Sequence, residues 1–77
     1  MQYPHKMNLT NQQITENEKY FSNVLNTLAE GGVFGWKDLN EVLVKRNGKL
    51  VCPQKAYDTA KDILSVEFFK NNFELKS

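Results

Sequence analysis

The apolar residues of this chain fall into two stripes of helical period on either side of a β-rich middle. Tyr20, Phe21, Val24, Leu25 and Leu28 stand at i, i+1, i+4, i+5 and i+8, one face of a 3.6-residue helix. Lys19, Asn23, Asn26 and Glu30 take the opposite face. The stripe predicts a helix over Glu16–Glu30. Thr15 stands at its N-cap and Glu18, three residues on, completes a capping box. Gly31-Gly32 stops it, with Gly31 suited to the left-handed cap conformation. Ala56, Tyr57, Ala60, Ile63 and Leu64 repeat the stripe and predict a second helix over Pro53–Leu64, with Pro53 in its first turn. Lys55, Asp58, Lys61 and Asp62 decorate its outer face at helical pairing distance. Beyond it, Ser65 is placed to cap a short further helix, VEFFKNNF, although the second helix could also run through it. Val66, Phe69 and Phe73 would share one face of that helix, and Phe68 would lie off it.

The middle, VFGWKDLNEVLVKRNGKLVCP, admits two readings. In the first, Val33–Trp36, Glu41–Arg46 and Lys49–Cys52 are strands of an antiparallel meander. Asn47-Gly48 between VLVKR and KLVC has the composition of a type I′ hairpin turn, and Asp38 and Asn40 supply turn chemistry for the other connection. The hairpin pairs Arg46 with Lys49 and Val44 with Val51. One face then carries Val42, Val44 and Val51, the other Leu43, Leu50 and Cys52, so both faces call for cover. In the second reading, Trp36, Leu39, Val42 and Leu43 form the stripe of a helix ending at Gly48. A hairpin over Val66–Leu75 would then complete the element order of a winged helix-turn-helix. The density of β-branched residues and the Asn-Gly turn favour the meander. The predicted fold class is therefore α+β: an N-terminal helix, a three-stranded antiparallel meander and a C-terminal helix or helices. Residues 1–13, polar and aperiodic with Pro4 near the start, form a flexible arm on a single domain over 14–77. Leu75-Lys76-Ser77 is a frayed end.

Length limits what this fold can house. Seventy-seven residues support one small core and exclude barrels and doubly wound dinucleotide domains. No apolar run approaches the roughly 18 residues of a membrane span, and no signal peptide opens the chain. The single cysteine, Cys52, cannot form an internal disulfide, which suits a reducing, cytoplasmic setting. Net charge is +1, but the positive charge gathers in the middle third, where Lys37, Lys45, Arg46, Lys49 and Lys55 outnumber Asp38 and Glu41. That is a weak basic patch, well short of a strongly basic nucleic-acid module. Nine asparagines are usage that an AT-rich genome produces, which points to a virus, a mobile element or a low-GC host, with a phage or mobile-element source as the expectation.

The residues of catalysis do not assemble. Cys52 has no histidine near it in sequence and sits in an apolar run, as a buried structural thiol does. His5 stands alone in the arm, with no Cys/His spacing that would hold zinc. Gly31, Gly32 and Gly35 lack the lysine and hydroxyl of a phosphate loop. The sequence predicts no catalytic residue, no metal and no cofactor. Binding remains. Phe34, Trp36 and Phe68 are candidate partner-binding aromatics, with Trp36 also readable as core. Lys45, Arg46, Lys49 and Lys55 surround the hairpin tip, where phosphate contact competes with simple solvation. The expectation is a small, non-enzymatic, intracellular regulatory protein that docks on a protein partner. The alternatives are a winged-helix DNA-binding regulator, with Lys55 and Lys61 on its recognition helix, and a structural homo-oligomer.

Overall fold

The computed structural model describes residues 9–76. Its first helix, α1, spans Asn11–Thr27 and starts earlier than the apolar stripe predicts. Thr10 is the N-cap: its Oγ1 accepts from Gln13 N–H at 3.1 Å, and Gln13 Oε1 accepts from Thr10 N–H at 2.9 Å. This is a reciprocal capping box, and half-buried Leu9 and Ile14 occupy the N′ and N4 positions of a hydrophobic staple. Thr15 and Glu18 therefore lie inside the helix and form no box. The first turn is entirely polar and exposed, so an apolar stripe gives no sign of it. Residues 10–13 of the expected arm are thus the cap and first turn of α1, and its residues 1–8, with His5, lie outside the described residues.

The other end of α1 also departs from expectation. The helix stops at Thr27 with Leu28 as C-cap, short of Glu30. Lys45 Nζ donates to the carbonyls of Leu25 at 2.7 Å and Leu28 at 2.8 Å, filling the vacancies of the last turn. The chain then reverses through Ala29–Gly32, closed by Gly32 N–H to Ala29 O at 2.8 Å. Gly31, at φ +85°, takes the third position of a type II turn, which demands positive φ. Gly31 N–H donates to Lys45 O and Lys45 N–H donates to Gly32 O. Two residues thus oppose one in a glycine bulge that launches the sheet.

The meander has the predicted bounds: β1 is Val33–Trp36, β2 is Glu41–Arg46 and β3 is Lys49–Cys52, all antiparallel. Asn47 at φ 54° and Gly48 at φ 78° make the expected type I′ turn, and the register pairs Arg46 with Lys49 and Val44 with Val51. A single 3-10 turn, Lys37–Leu39, followed by Asn40 at φ 55°, joins β1 to β2. This excludes the winged-helix arrangement, which needs a helix over residues 36–46. The turn buries Leu39 three residues after Trp36, which mimics the helical spacing that suggested it.

After β3 the chain forms α2, Gln54–Ile63, with Pro53 at its N-cap, and α3, Val66–Asn72. Ser65 breaks the two apart and caps α3, its Oγ accepting from Phe68 N–H at 3.3 Å. The chain then supplies a fourth strand, β4, Phe73–Leu75, which runs parallel to β3 and makes the sheet order β1-β2-β3-β4. Lys76 N–H extends the pairing to Cys52 O at 2.8 Å. The sequence reading puts Phe73 in the short helix and leaves Leu75-Lys76-Ser77 frayed, because three residues are too few to display alternation.

All three helices contribute to a single core on one face of the sheet. Leu43, Leu50, Cys52, Ala56, Ala60 and Leu64 are fully excluded from solvent. Phe21 of α1 is the aromatic hub: its ring meets Trp36 and Phe73 edge-on, each at 5.2 Å between centroids, favourable geometry for ring quadrupoles. Two side-chain bonds tie α1 to the α2–α3 junction. Asn17 Nδ2 donates to Ile63 O at 3.0 Å, and Glu18 Oε2 accepts from Ser65 N–H at 3.0 Å.

Candidate protein-docking surfaces

Because every helix lies on one side, the sheet's other side meets no described element. Strand pleating decides what it shows. Val33, Gly35, Val42, Val44, Arg46, Lys49, Val51 and Glu74 alternate with residues of the core face. The register sets Val33 beside Val44, Val44 beside Val51 and Val51 beside Glu74, one row across all four strands. Val42 sits one step along from Val44, and Val33 and Val42 are each 60% exposed. A shallow groove of about 430 Å³ runs over Val42, Val44 and Val51, with Arg46, Glu74 and Lys76 around it. The next row is the directly opposed pair Arg46 and Lys49, like charges that repel in the free protein.

A second concavity lies at the edge of the sheet between α1 and β1. Tyr20, Val24, Leu28 and Phe34, with Asn23 and Thr27, line about 370 Å³ of mostly apolar space. Tyr20 is 53% exposed, and its ring stands edge-on to Phe34 at 6.1 Å.

The three candidate aromatics separate. Trp36 is 4% exposed and packs on Phe21, so its ring belongs to the core and presents no docking surface. Phe68 is half-buried against the core. Phe34 is half-buried as well but forms a wall of the α1–β1 groove. The candidate cations divide too. The ammonium of Lys45 is engaged by α1 carbonyls. Arg46 and Lys49 belong to the open sheet face, while Lys55 and Lys61 are exposed on α2, in the opposite layer. No single surface gathers all five. Sequence reasoning placed Val42, Val44 and Val51 on a common face. It missed Val33 because the turn chemistry of Asp38 and Asn40 does not set the β1–β2 register as a two-residue turn does, and it missed Tyr20 by assigning it to the buried stripe.

Cys52 has no access to chemistry. It is fully buried, its Sγ lies 3.5 Å from Leu50 O, and burial pushes the thiol up from 9.0 to about 12. Among the described residues, no three histidines, cysteines or carboxylates come together to hold a metal, and no helix is long and apolar enough to cross a membrane. No family model matches the chain, and neither does any curated protein or any solved structure.

Proposed function

We propose that this is a non-enzymatic binding protein that docks on a protein partner through the open face of its sheet. The observation that carries this reading is the unbroken row Val33–Val44–Val51, with Val42 beside it, on a face that no described element covers. Contiguous apolar surface of this kind marks interaction sites. The rim specifies the partner's chemistry. Arg46, Lys49 and Lys76 outnumber Glu74 there, and the Arg46–Lys49 repulsion is relieved when carboxylates approach. The fitting partner is an apolar protein surface with acidic residues at the Arg46–Lys49 end. Nucleic acid fits this face less well, because phosphates gain nothing from a valine row and the candidate cations Lys55 and Lys61 lie in the other layer.

The test places a photo-crosslinking residue at Val42 and, separately, at Lys55 of the helical layer, in cells that make the protein. One protein adduct should form from position 42, fail to form from position 55 and disappear with Arg46→Glu plus Lys49→Glu. Equal adducts from both positions, or indifference to the charge reversal, refute the reading. Salt-sensitive duplex binding abolished by Lys55→Gln plus Lys61→Gln would replace it with nucleic-acid recognition.

A further inference from the structure

We infer that β1 pairs with β1 of a second copy of this chain, edge to edge and antiparallel. The inference concerns the sheet's edge and does not rest on the open-face reading. Lys45 N–H bonds to Gly32 O, so Lys45 and, two residues earlier, Leu43 direct their backbone groups at β1. Leu43 is opposite Phe34, and alternation along an antiparallel ladder then assigns the N–H and C=O of Phe34 to β2. The N–H and C=O of Val33 and Gly35 point the other way, off the edge of the sheet. Protein edges of this kind are normally guarded by proline, charge or a covering segment. β1 reads Val-Phe-Gly-Trp, with no proline and no charge, and no described element pairs with its outer side.

The edge is complementary to itself. A two-fold axis through Phe34 sets Val33 against Gly35 of the second copy and Gly35 against its Val33. Each pair exchanges two hydrogen bonds, so all four outward groups of each strand are satisfied by an isologous contact. The side chains fit the same register. Gly35 has open space where a Cβ would stand, and the opposing Val33 side chain fills it. On the helical side the two Phe34 residues form the close, non-hydrogen-bonded pair, and their rings close off the apolar groove walled by Tyr20, Val24 and Leu28. An arbitrary strand needs a bulky residue opposite Gly35 and an aromatic at the centre to do this; β1 itself supplies both. The bulge at Gly31–Gly32 and the 3-10 turn at Lys37 bend the chain away at either end, which confines the pairing to residues 33–35.

Sedimentation and amide exchange over a concentration series test this on the whole chain. With rising concentration a dimer should form, and the Val33 and Gly35 amides should slow together, whereas the Phe34 and Leu43 amides are protected throughout. Gly35→Pro removes one outward donor per chain at an edge position that tolerates proline. It should abolish the dimer and leave the circular dichroism spectrum unchanged; Tyr20→Lys should weaken it at least tenfold. Val42→Glu on the open face should leave it intact, which separates this inference from the docking reading. A monomer at every concentration, fast exchange of Val33 and Gly35 within a dimer, or a dimer that survives Gly35→Pro but is lost with Val42→Glu would each overturn it. Should Gly35→Pro unfold the domain, the exchange pattern of the unaltered protein and Tyr20→Lys decide the matter by themselves.

Discussion

Lys45→Met should destabilise the domain although it replaces one charged residue at a hairpin with an apolar side chain of similar length. Lys45 Nζ bonds two α1 carbonyls, those of Leu25 and Leu28, and hydrogen bonds from charged donors contribute about 1.5–3 kcal/mol each. Two considerations reduce the sum. Lys45 is half-buried, so water can partly replace the ammonium, and methionine keeps the apolar contacts of the stem. A net loss of about 1–3 kcal/mol follows. For a domain of this size each kcal/mol lowers the melting temperature by about 4–8 °C.

Urea denaturation measures the loss, with Lys49→Met as the control, since Lys49 makes no equivalent bond to a helix end. The midpoint should fall for Lys45→Met with an unchanged slope, and the Leu28 amide should exchange faster because the last turn of α1 loosens. The Lys49→Met midpoint should stay within about 0.5 kcal/mol of wild type, as ordinary surface changes do. Equal, negligible effects in both variants would show that Lys45 is merely a solvated cation and would restore it to the candidate phosphate contacts.

The cap of α1 separates two start sites: Thr10→Ala should cost about 0.5–2 kcal/mol, and Thr15→Ala, inside the helix and exposed, should leave the denaturation midpoint unmoved; the reverse result would place the start of α1 at Thr15. Cys52 carries a pH dependence of definite sign. Its thiol is held protonated in the native state up to about 12 against an ordinary 9.0, so above pH 9.0 the unfolded chain releases a proton that the folded one keeps. Stability should therefore fall across that window, and Cys52→Ala should show a shallower decline; parallel slopes would mean that the thiol is not buried.

What the sequence disclosed and what it hid follow from the range of the interactions involved. The Asn47-Gly48 turn and the strands beside it were legible because a type I′ turn is specified by two adjacent residues, and it fixes the register of both strands. The break at Ser65 was one of two readings, and the local cap that Ser65 makes on Phe68 N–H decides it. The fourth strand was hidden: Phe73–Leu75 pairs with Leu50–Cys52, across two intervening helices. The role of Lys45 was hidden for the same reason, because its acceptors lie 20 and 17 residues back. Glu18 was misread, and Trp36 was left between two readings. Glu18 has the spacing of a local cap but bonds a residue 47 positions away, while Trp36, flanked by Gly35 and Lys37, reads as core or as a docking aromatic, and the structure places it in the aromatic cluster around Phe21.

These errors share a physical cause, and it bears on where function should be sought. A chain of 77 residues buries a smaller share of its surface than a large domain does, so its apolar core alone leaves helix ends loosely fixed. Polar side chains make up the difference. Asn17 and Glu18 join α1 to the α2–α3 junction, Lys45 closes the end of α1, and Glu30 accepts from the Asn47 amide at the hairpin tip. The charged residues that appear most ready to contact a ligand are thus partly committed within the fold. Arg46, Lys49, Lys55 and Lys61 keep their charges at the surface, and beside them stand two features that charge does not reveal: the valines of the open sheet face and the outward amides of β1. A reading based on charge alone leads to the hairpin tip and to DNA. Once the internal bonds are subtracted, Lys45 leaves the hairpin-tip cations, and the sheet face and strand edge on which the two proposals rest come into view.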